Sequence, residues 1–180
     1  MDSKLMPQAA IYTDWLVLRP CQKSDLDTLQ QISGDDEVRD RFSALVNCSE
    51  MDATAGLGLW AVQRFSNGPL IGFCGFDRAG GSGDVEMLYG FWPTGWEEGA
   101  AKEACQAALS YLWTTTAVRR AFARTRRENR RSVAVMERLG MCLVRDGVPC
   151  ATVSRELHEQ VPHGNSAIIY VAERPTHQLR

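Results

Sequence analysis

The residues best suited to chemistry are three small ones, Gly99-Ala100-Ala101, in the stretch DVEMLYGFWPTGWEEGAAKEACQAALSYLW at 84–113. They follow an aromatic-rich run and a Pro93-Thr94-Gly95 turn signal, at the start of a helical pattern. The first N–H groups of a helix lack carbonyl partners, and that end carries partial positive charge. Small side chains there would let an anion such as phosphate reach the amides. Glu97 and Glu98, expected in the first turn, fit a second reading, the acid-stabilised helix start of an ordinary strand–turn–helix unit. A second feature is RRAFARTRRENRR at 119–131, with seven Arg against one Glu, a local +6 in a chain of net charge −2. Such a run could meet an anionic ligand or form a solvated face.

Metal and disulfide chemistry have little support. Six cysteines (21, 48, 74, 105, 142 and 150) include no C-x-x-C pair, and are expected mostly as small core residues. The three histidines (158, 163 and 177) have no ligand-like spacing, so no metal is expected.

The elements that position these residues read as follows. Residues 1–13 are expected as a poorly ordered lead-in. Residues 15–19 form a strand stopped by Pro20, and Ser24 caps a helix with Leu26, Leu29 and Ile32 on its apolar face. A second short helix spans 35–45. Residues 57–65, 70–77 and 84–92 are strands joined by Ser66-Asn67-Gly68-Pro69 and Gly80-Gly81-Ser82-Gly83, an antiparallel meander. Gly90 inside the third strand marks a bulge or a close approach to the backbone. The helix that follows has Ala101, Ala104, Cys105, Ala108, Leu109 and Leu112 on one face. It leads to a strand at 118–125, able to lie parallel to 84–92 because a helix intervenes. A helix at 130–139, with Val133, Met136 and Leu139 buried, ends at Gly140. Strands at 141–144 and 167–172 form a long hairpin around a loop-rich 146–166.

At 180 residues, 44% hydrophobic and 23% charged, the chain suits a single globular domain over 1–180, core about 13–172. No apolar run approaches 18 residues and MDSKLMPQ lacks a signal-peptide core, so no membrane partner and a cytoplasmic location are expected. A pI near 5.9 without a nucleic-acid motif argues against nucleic acid.

Three segments, TDWLVLRPCQKSDLDTL at 13–29, EMLYGFWPTGWEEGAAKEA at 86–104 and ENRRSVAVMERLGM at 128–141, together resemble the GNAT acyl-CoA-dependent N-acetyltransferases. The likeness is to the branch that includes the ribosomal-protein N-terminal acetyltransferases, and covers about residues 13–172. The resemblance implies an α+β fold with a mixed, mostly antiparallel sheet, flanked by helices and split between strands 84–92 and 118–125. It implies acetyl-CoA as cosubstrate, with the pantetheine arm along the backbone at Phe91 and Trp92. Glu98, Gly99, Ala100 and Ala101 would stand at the pyrophosphate. Asn129 would contact the pantetheine arm or the thioester, and Arg130 or Arg131 a CoA phosphate.

The implied reaction is direct attack of a neutral primary amine on the thioester. The acceptor would be a small molecule or a protein N-terminus. An amine of pKa about 8 to 10 is mostly protonated at neutral pH, so a base helps. The resemblance points to Glu86 as that base, through a water, against a purely structural role. Ser132 could hydrogen-bond the leaving sulfur, or be an ordinary helix serine. N–H groups near Phe91 and Trp92 would polarise the thioester carbonyl. Three departures stand out: Glu97 and Glu98 replace the family's usual Gly and Arg, Lys or Gln; Met136 stands where many relatives have a Tyr; Gly90 stands where this branch has a bulky residue. The two acids keep an alternative open, a degenerate GNAT-fold binding or regulatory module with weak or no CoA binding. A homodimer is left open.

Overall fold

In the computed structural model, residues 9–32, 46, 57–65, 68–78, 83–93, 99–144 and 167–175 are described. They form a mixed sheet of eight strands, mostly antiparallel, in the order β1-β2-β3-β4-β5-β6-β8-β7. The strands are β1 Ile11–Tyr12, β2 Leu16–Pro20, β3 Gly58–Arg64, β4 Leu70–Arg78, β5 Val85–Phe91, β6 Arg120–Arg126, β7 Cys142–Val144 and β8 Ala167–Glu173. The helices are α1 Leu26–Gln30, α2 Ala100–Thr115 and α3 Arg130–Arg138. Two compact units emerge, Met1–Asp77 with Met87–Thr116, and Arg78–Glu86 with Ala117–Arg180.

In the first unit, alternation along β3 sorts side chains onto two faces. Leu59 and Ala61 join Cys21, Leu29, Val46 and Phe73 in a buried cluster, with Leu26 and Ile32 packed against it. The neighbouring Trp60 points the other way, meeting Tyr111 of α2 edge-on at 5.3 Å and Phe76 at 6.4 Å. Its indole N–H donates to the Ala9 carbonyl at 2.9 Å, so the buried ring keeps a polar partner. All six positions expected on the apolar face of α2 are buried.

Two expectations need correction here. Ile11–Tyr12 is a strand, not lead-in, pairing with Leu18 and Val17 of β2. Thr13 makes the tight turn: its Oγ1 accepts the Leu16 N–H at 2.9 Å, while its own N–H donates to the Leu16 carbonyl at 3.0 Å. A two-residue strand is too short to show a period. The helix start also differs. A 3₁₀ turn, Lys23–Asp25, precedes α1, and Ser24 lies inside it rather than capping. Asp25 supplies the polar contacts, accepting the Gln22 N–H at 2.8 Å and bonds from the two terminal guanidinium nitrogens of Arg19 at 2.6 and 2.7 Å. Burial pushes the Asp25 carboxyl up, but the Arg19 hydrogen bonds, the Gln22 N–H and the Arg19 charge together hold it below its ordinary value.

In the second unit, β8 lies between β6 and β7, antiparallel to both. Phe122, Val144, Ile169 and Val171 pack on one face. The opposite face carries Ala123 and its register partner Tyr170, whose hydroxyl hydrogen-bonds Glu137 of α3 at 3.3 Å. Helix α3 ends as expected at Gly140: the Gly140 N–H reaches the Glu137 carbonyl at 3.0 Å and the Met141 N–H the Met136 carbonyl at 3.1 Å, a Schellman closure. Its buried residues are Ser132, Val135 and Met136, so the stripe is rotated from the expected Val133, Met136 and Leu139. One serine within the buried stripe hid the true phase. Strands β5 and β6 pair in parallel at Val85–Ala121 and Glu86–Phe122, over their first residues rather than along their lengths.

Among the described residues, no helix is long and apolar enough to cross a membrane. Nor does any group of three or more His, Cys, Asp or Glu there suit a metal ion. The three histidines, Cys48, Cys150, the expected 35–45 helix and the 146–166 loop lie outside these residues. Of the cysteines described, Cys21, Cys74 and Cys105 are buried as expected, whereas Cys142 is exposed.

Candidate functional site

The first unit carries the anion-binding candidate. Helix α2 begins after Gly99, which has φ 74° and ψ 7°. This left-handed conformation suits glycine. A Cβ added there would meet nothing within 4 Å, so the requirement is conformational and not one of space. The Glu103 N–H donates to the Gly99 carbonyl at 3.0 Å, closing the first helical turn. The amides of Ala100, Ala101 and Lys102 therefore precede any intrahelical carbonyl. The methyls of Ala100 and Ala101 are buried, which leaves this end of the helix bare of their side chains. The helix starts later than expected, so Glu97 and Glu98 precede it in sequence, outside the described residues. An acid does stand in the first turn: Glu103, whose buried Oε1 has no hydrogen-bond partner among the described residues. The helix-start charge stabilises that carboxylate, and the carboxylate in turn opposes a bound anion.

At the end of β5, the Trp92 N–H donates to the Ile71 carbonyl at 2.9 Å. It is thus engaged by β4 and does not face a ligand, contrary to expectation. Backbone groups of successive strand residues point to opposite edges, so those of Phe91 point away from β4. The Phe91 ring lies where a side chain at Gly72 would be: a Cβ there would stand 2.3 Å from Phe91 Cδ1.

The second unit carries the candidate base. The Glu86 carboxylate is buried and gripped by Arg124, with Nε to Oε1 and a terminal nitrogen to Oε2 both at 2.9 Å. Two residues before it, Asp84 is paired with Arg120 through Nε and Oδ1 at 2.9 Å. Two of the seven arginines of the basic run thus oppose buried carboxylates. Arg119, Arg126, Arg127, Arg130 and Arg131 are exposed, as a solvated face would be. Sequence reasoning missed both pairs. The signal was present: acids two apart on one strand and arginines four apart on the next put all four on one face if the strands pair in parallel.

Asn129 is the N-cap of α3, its Oδ1 accepting the Ser132 N–H at 3.2 Å. That bond leaves the two amide N–H donors unspent on it. Ser132 is buried, unlike an ordinary surface-helix serine, and Met136 is fully buried. Glu86 shares its sheet face with its register partner Phe122. Helix α3 lies over the other face, through Glu137 and Tyr170. Glu86 and Ser132 are therefore on opposite faces of the second unit's sheet.

The acetyltransferase (GNAT) domain family matches residues 16–142 of this chain. The chain belongs to the GNAT acetyltransferase family. Solved GNAT structures share its fold at low sequence identity. An acetyltransferase from Agrobacterium tumefaciens superposes with a TM-score of 0.71 at 18% identity, over 96% of this chain and 99% of that one. A GNAT acetyltransferase from Bacillus anthracis gives 0.63 at 23%, over 92% and 99%. A RimL ribosomal L7/L12 α-N-protein acetyltransferase, solved in complex with coenzyme A, gives 0.64 at 15%, over 92% and 98%.

Proposed function

We propose that this GNAT domain transfers the acetyl group of acetyl-CoA to a primary amine, either a protein N-terminus or a small amine, in the cytoplasm. Its family membership supports acyl transfer. The observation that carries cofactor use is the start of α2, where a left-handed Gly99 precedes amides with no intrahelical partner and the alanine methyls turn inward. That arrangement fits a pyrophosphate. The likeness to a coenzyme A complex supports the same donor.

In this reading the backbone N–H groups of Gly99, Ala100 and Ala101 hold the pyrophosphate, and Glu98 stands beside it with a carboxylate that opposes the bound anion. Phe91, rather than Trp92, offers the backbone groups for the pantetheine arm. Asn129 adds its side-chain amide. Bound acetyl-CoA supplies the activated acyl group. Glu86, its carboxylate oriented by Arg124, accepts the ammonium proton through a water. The Ser132 hydroxyl donates to the departing sulfur.

Calorimetric titration of acetyl-CoA into the wild-type chain and into Gly99→Glu tests this. Wild type should bind, and the variant should lose binding while keeping its fold by circular dichroism. No wild-type binding at millimolar acetyl-CoA would overturn the proposal.

A further inference from the structure

We propose that Arg124 is a positioning residue for the transfer reaction, holding the Glu86 carboxylate ionised and oriented so that it can take the proton of the acceptor amine. This rests on the reading of Glu86 given above.

The geometry has three parts. The first is orientation. A glutamate's terminal torsion is broad and roughly two-fold, so an unheld carboxylate samples many directions. Two parallel bonds of 2.9 Å to one planar guanidinium fix that plane. The second is charge. The Glu86 side chain is only 7% exposed, whereas that of Arg124 is 39% exposed. The cation is hydrated on one side and grips a buried anion on the other. A carboxylate that buried, deprived of its cation, neutralises, and a neutral carboxyl cannot accept a proton. The third is capacity. A carboxylate has about four lone-pair sites, and the fork takes two. Proton acceptance through a water uses the second lone pair of a carboxylate oxygen.

The step balances as follows. The acceptor ammonium passes one proton through water to Glu86, which becomes a neutral carboxylic acid. The freed nitrogen lone pair forms the N–C bond, the C–S bond breaks, and the sulfur takes the second nitrogen proton. Glu86 then returns its proton to solvent, and the adjacent guanidinium favours that return because it restores the ion pair. The products are the amide, the free thiol and one proton.

The same two strands provide an internal comparison. Asp84–Arg120 ties them together with the same chemistry two residues away. If Arg124 merely clamped strands, loss of Arg120 would produce the same kinetic defect.

The test measures thiol release from acetyl-CoA between pH 6 and 10, with a peptide bearing a free α-amino group and with a small diamine as acceptors. Arg124→Gln should lower kcat/KM about 100-fold at pH 7. It should recover towards wild type above pH 9 with the peptide, whose α-amino group of pKa about 8 is then neutral in solution. Arg124→Lys keeps the charge but not the fork, and should fall between. Glu86→Gln should match Arg124→Gln, and the double variant should be no worse than either. Arg120→Gln should lower the melting temperature without a pH-reversible rate loss.

An Arg124→Gln loss that is independent of pH, or that adds to the loss in Glu86→Gln, would overturn the proposal alone. So would an unchanged Arg124→Gln beside a defective Glu86→Gln. Full activity in Glu86→Gln would overturn the reading beneath it, and absence of wild-type thiol release with both acceptors would overturn both.

Discussion

A Cβ placed on Gly90 would lie 2.5 Å from Cε1 of Phe73, so a ring from β4 fills the space a side chain on β5 would need. The nearby Ile32 Cγ2 would be 3.1 Å away. The glycine thus marks a close approach by packing from the neighbouring strand. Phe73 is buried and has little room to yield. Gly90→Ala should destabilise the chain by about 1–3 kcal/mol in urea unfolding. Adding Phe73→Leu should return part of that loss, and strict additivity of the two changes would exclude the contact.

Asn129 does two separable things in the proposed enzyme. As N-cap it bonds the Ser132 N–H, so Asn129→Ala should cost about 1 kcal/mol of stability. Asn129→Asp keeps an acceptor for the cap but lacks the amide donors. It should melt close to wild type, yet bind acetyl-CoA more weakly. Equal binding by wild type and the aspartate variant would confine Asn129 to capping.

The Asp25 ion pair sets an acid limit on stability. Its carboxyl is held below the ordinary value in the folded chain, so its contribution is complete above the unfolded pKa, about 3.9. As pH falls through the lower folded value, the contribution is lost. Asp25→Asn should therefore be less stable than wild type at pH 6–7. The gap should close as pH drops below about 4. Urea midpoints of the two proteins across pH 2.5–7 provide the comparison, and a gap constant over that range would contradict the assignment.

The described thiols should divide sharply towards an alkylating reagent. Cys142 is exposed, whereas Cys21, Cys74 and Cys105 are buried. Burial pushes the Cys21 thiol up, and for Cys74 a hydrogen bond with Cys105 followed by burial does the same. Peptide mapping after iodoacetamide should find Cys142 modified in the native protein. The three buried thiols should react orders of magnitude more slowly, at rates that rise with urea, because thiolate and access both require opening.

Much of the frame was legible because it was written in period and punctuation. All six positions expected on the apolar stripe of α2 are buried, and strands β3 and β4 begin and end within a residue or two of where their turns place them. What escaped was decided by partners distant in sequence. The Trp92 amide looks free until Ile71 is beside it. Glu86 reads as an isolated acid until β6 brings Arg124 against it. The stripe of α3 was mistaken because a buried serine is invisible to a count of apolar residues. Hairpin pairing of β7 with β8 was foreseen, but no local signal says that β8 would also pair along the whole of β6.

That last placement bears on how the chain is made. Strand β6 spans Arg120–Arg126, yet its antiparallel neighbour is Ala167–Glu173. While a ribosome synthesises the forty residues between them, one edge of β6 has no strand to receive it. The first unit's strands and helices are all complete by Thr115, so it can collapse early during translation, whereas the second must wait for β8 to arrive between β6 and β7. A chain stalled or cut within that interval would present an unpaired β6 edge to its neighbours, a ready template for pairing with another chain.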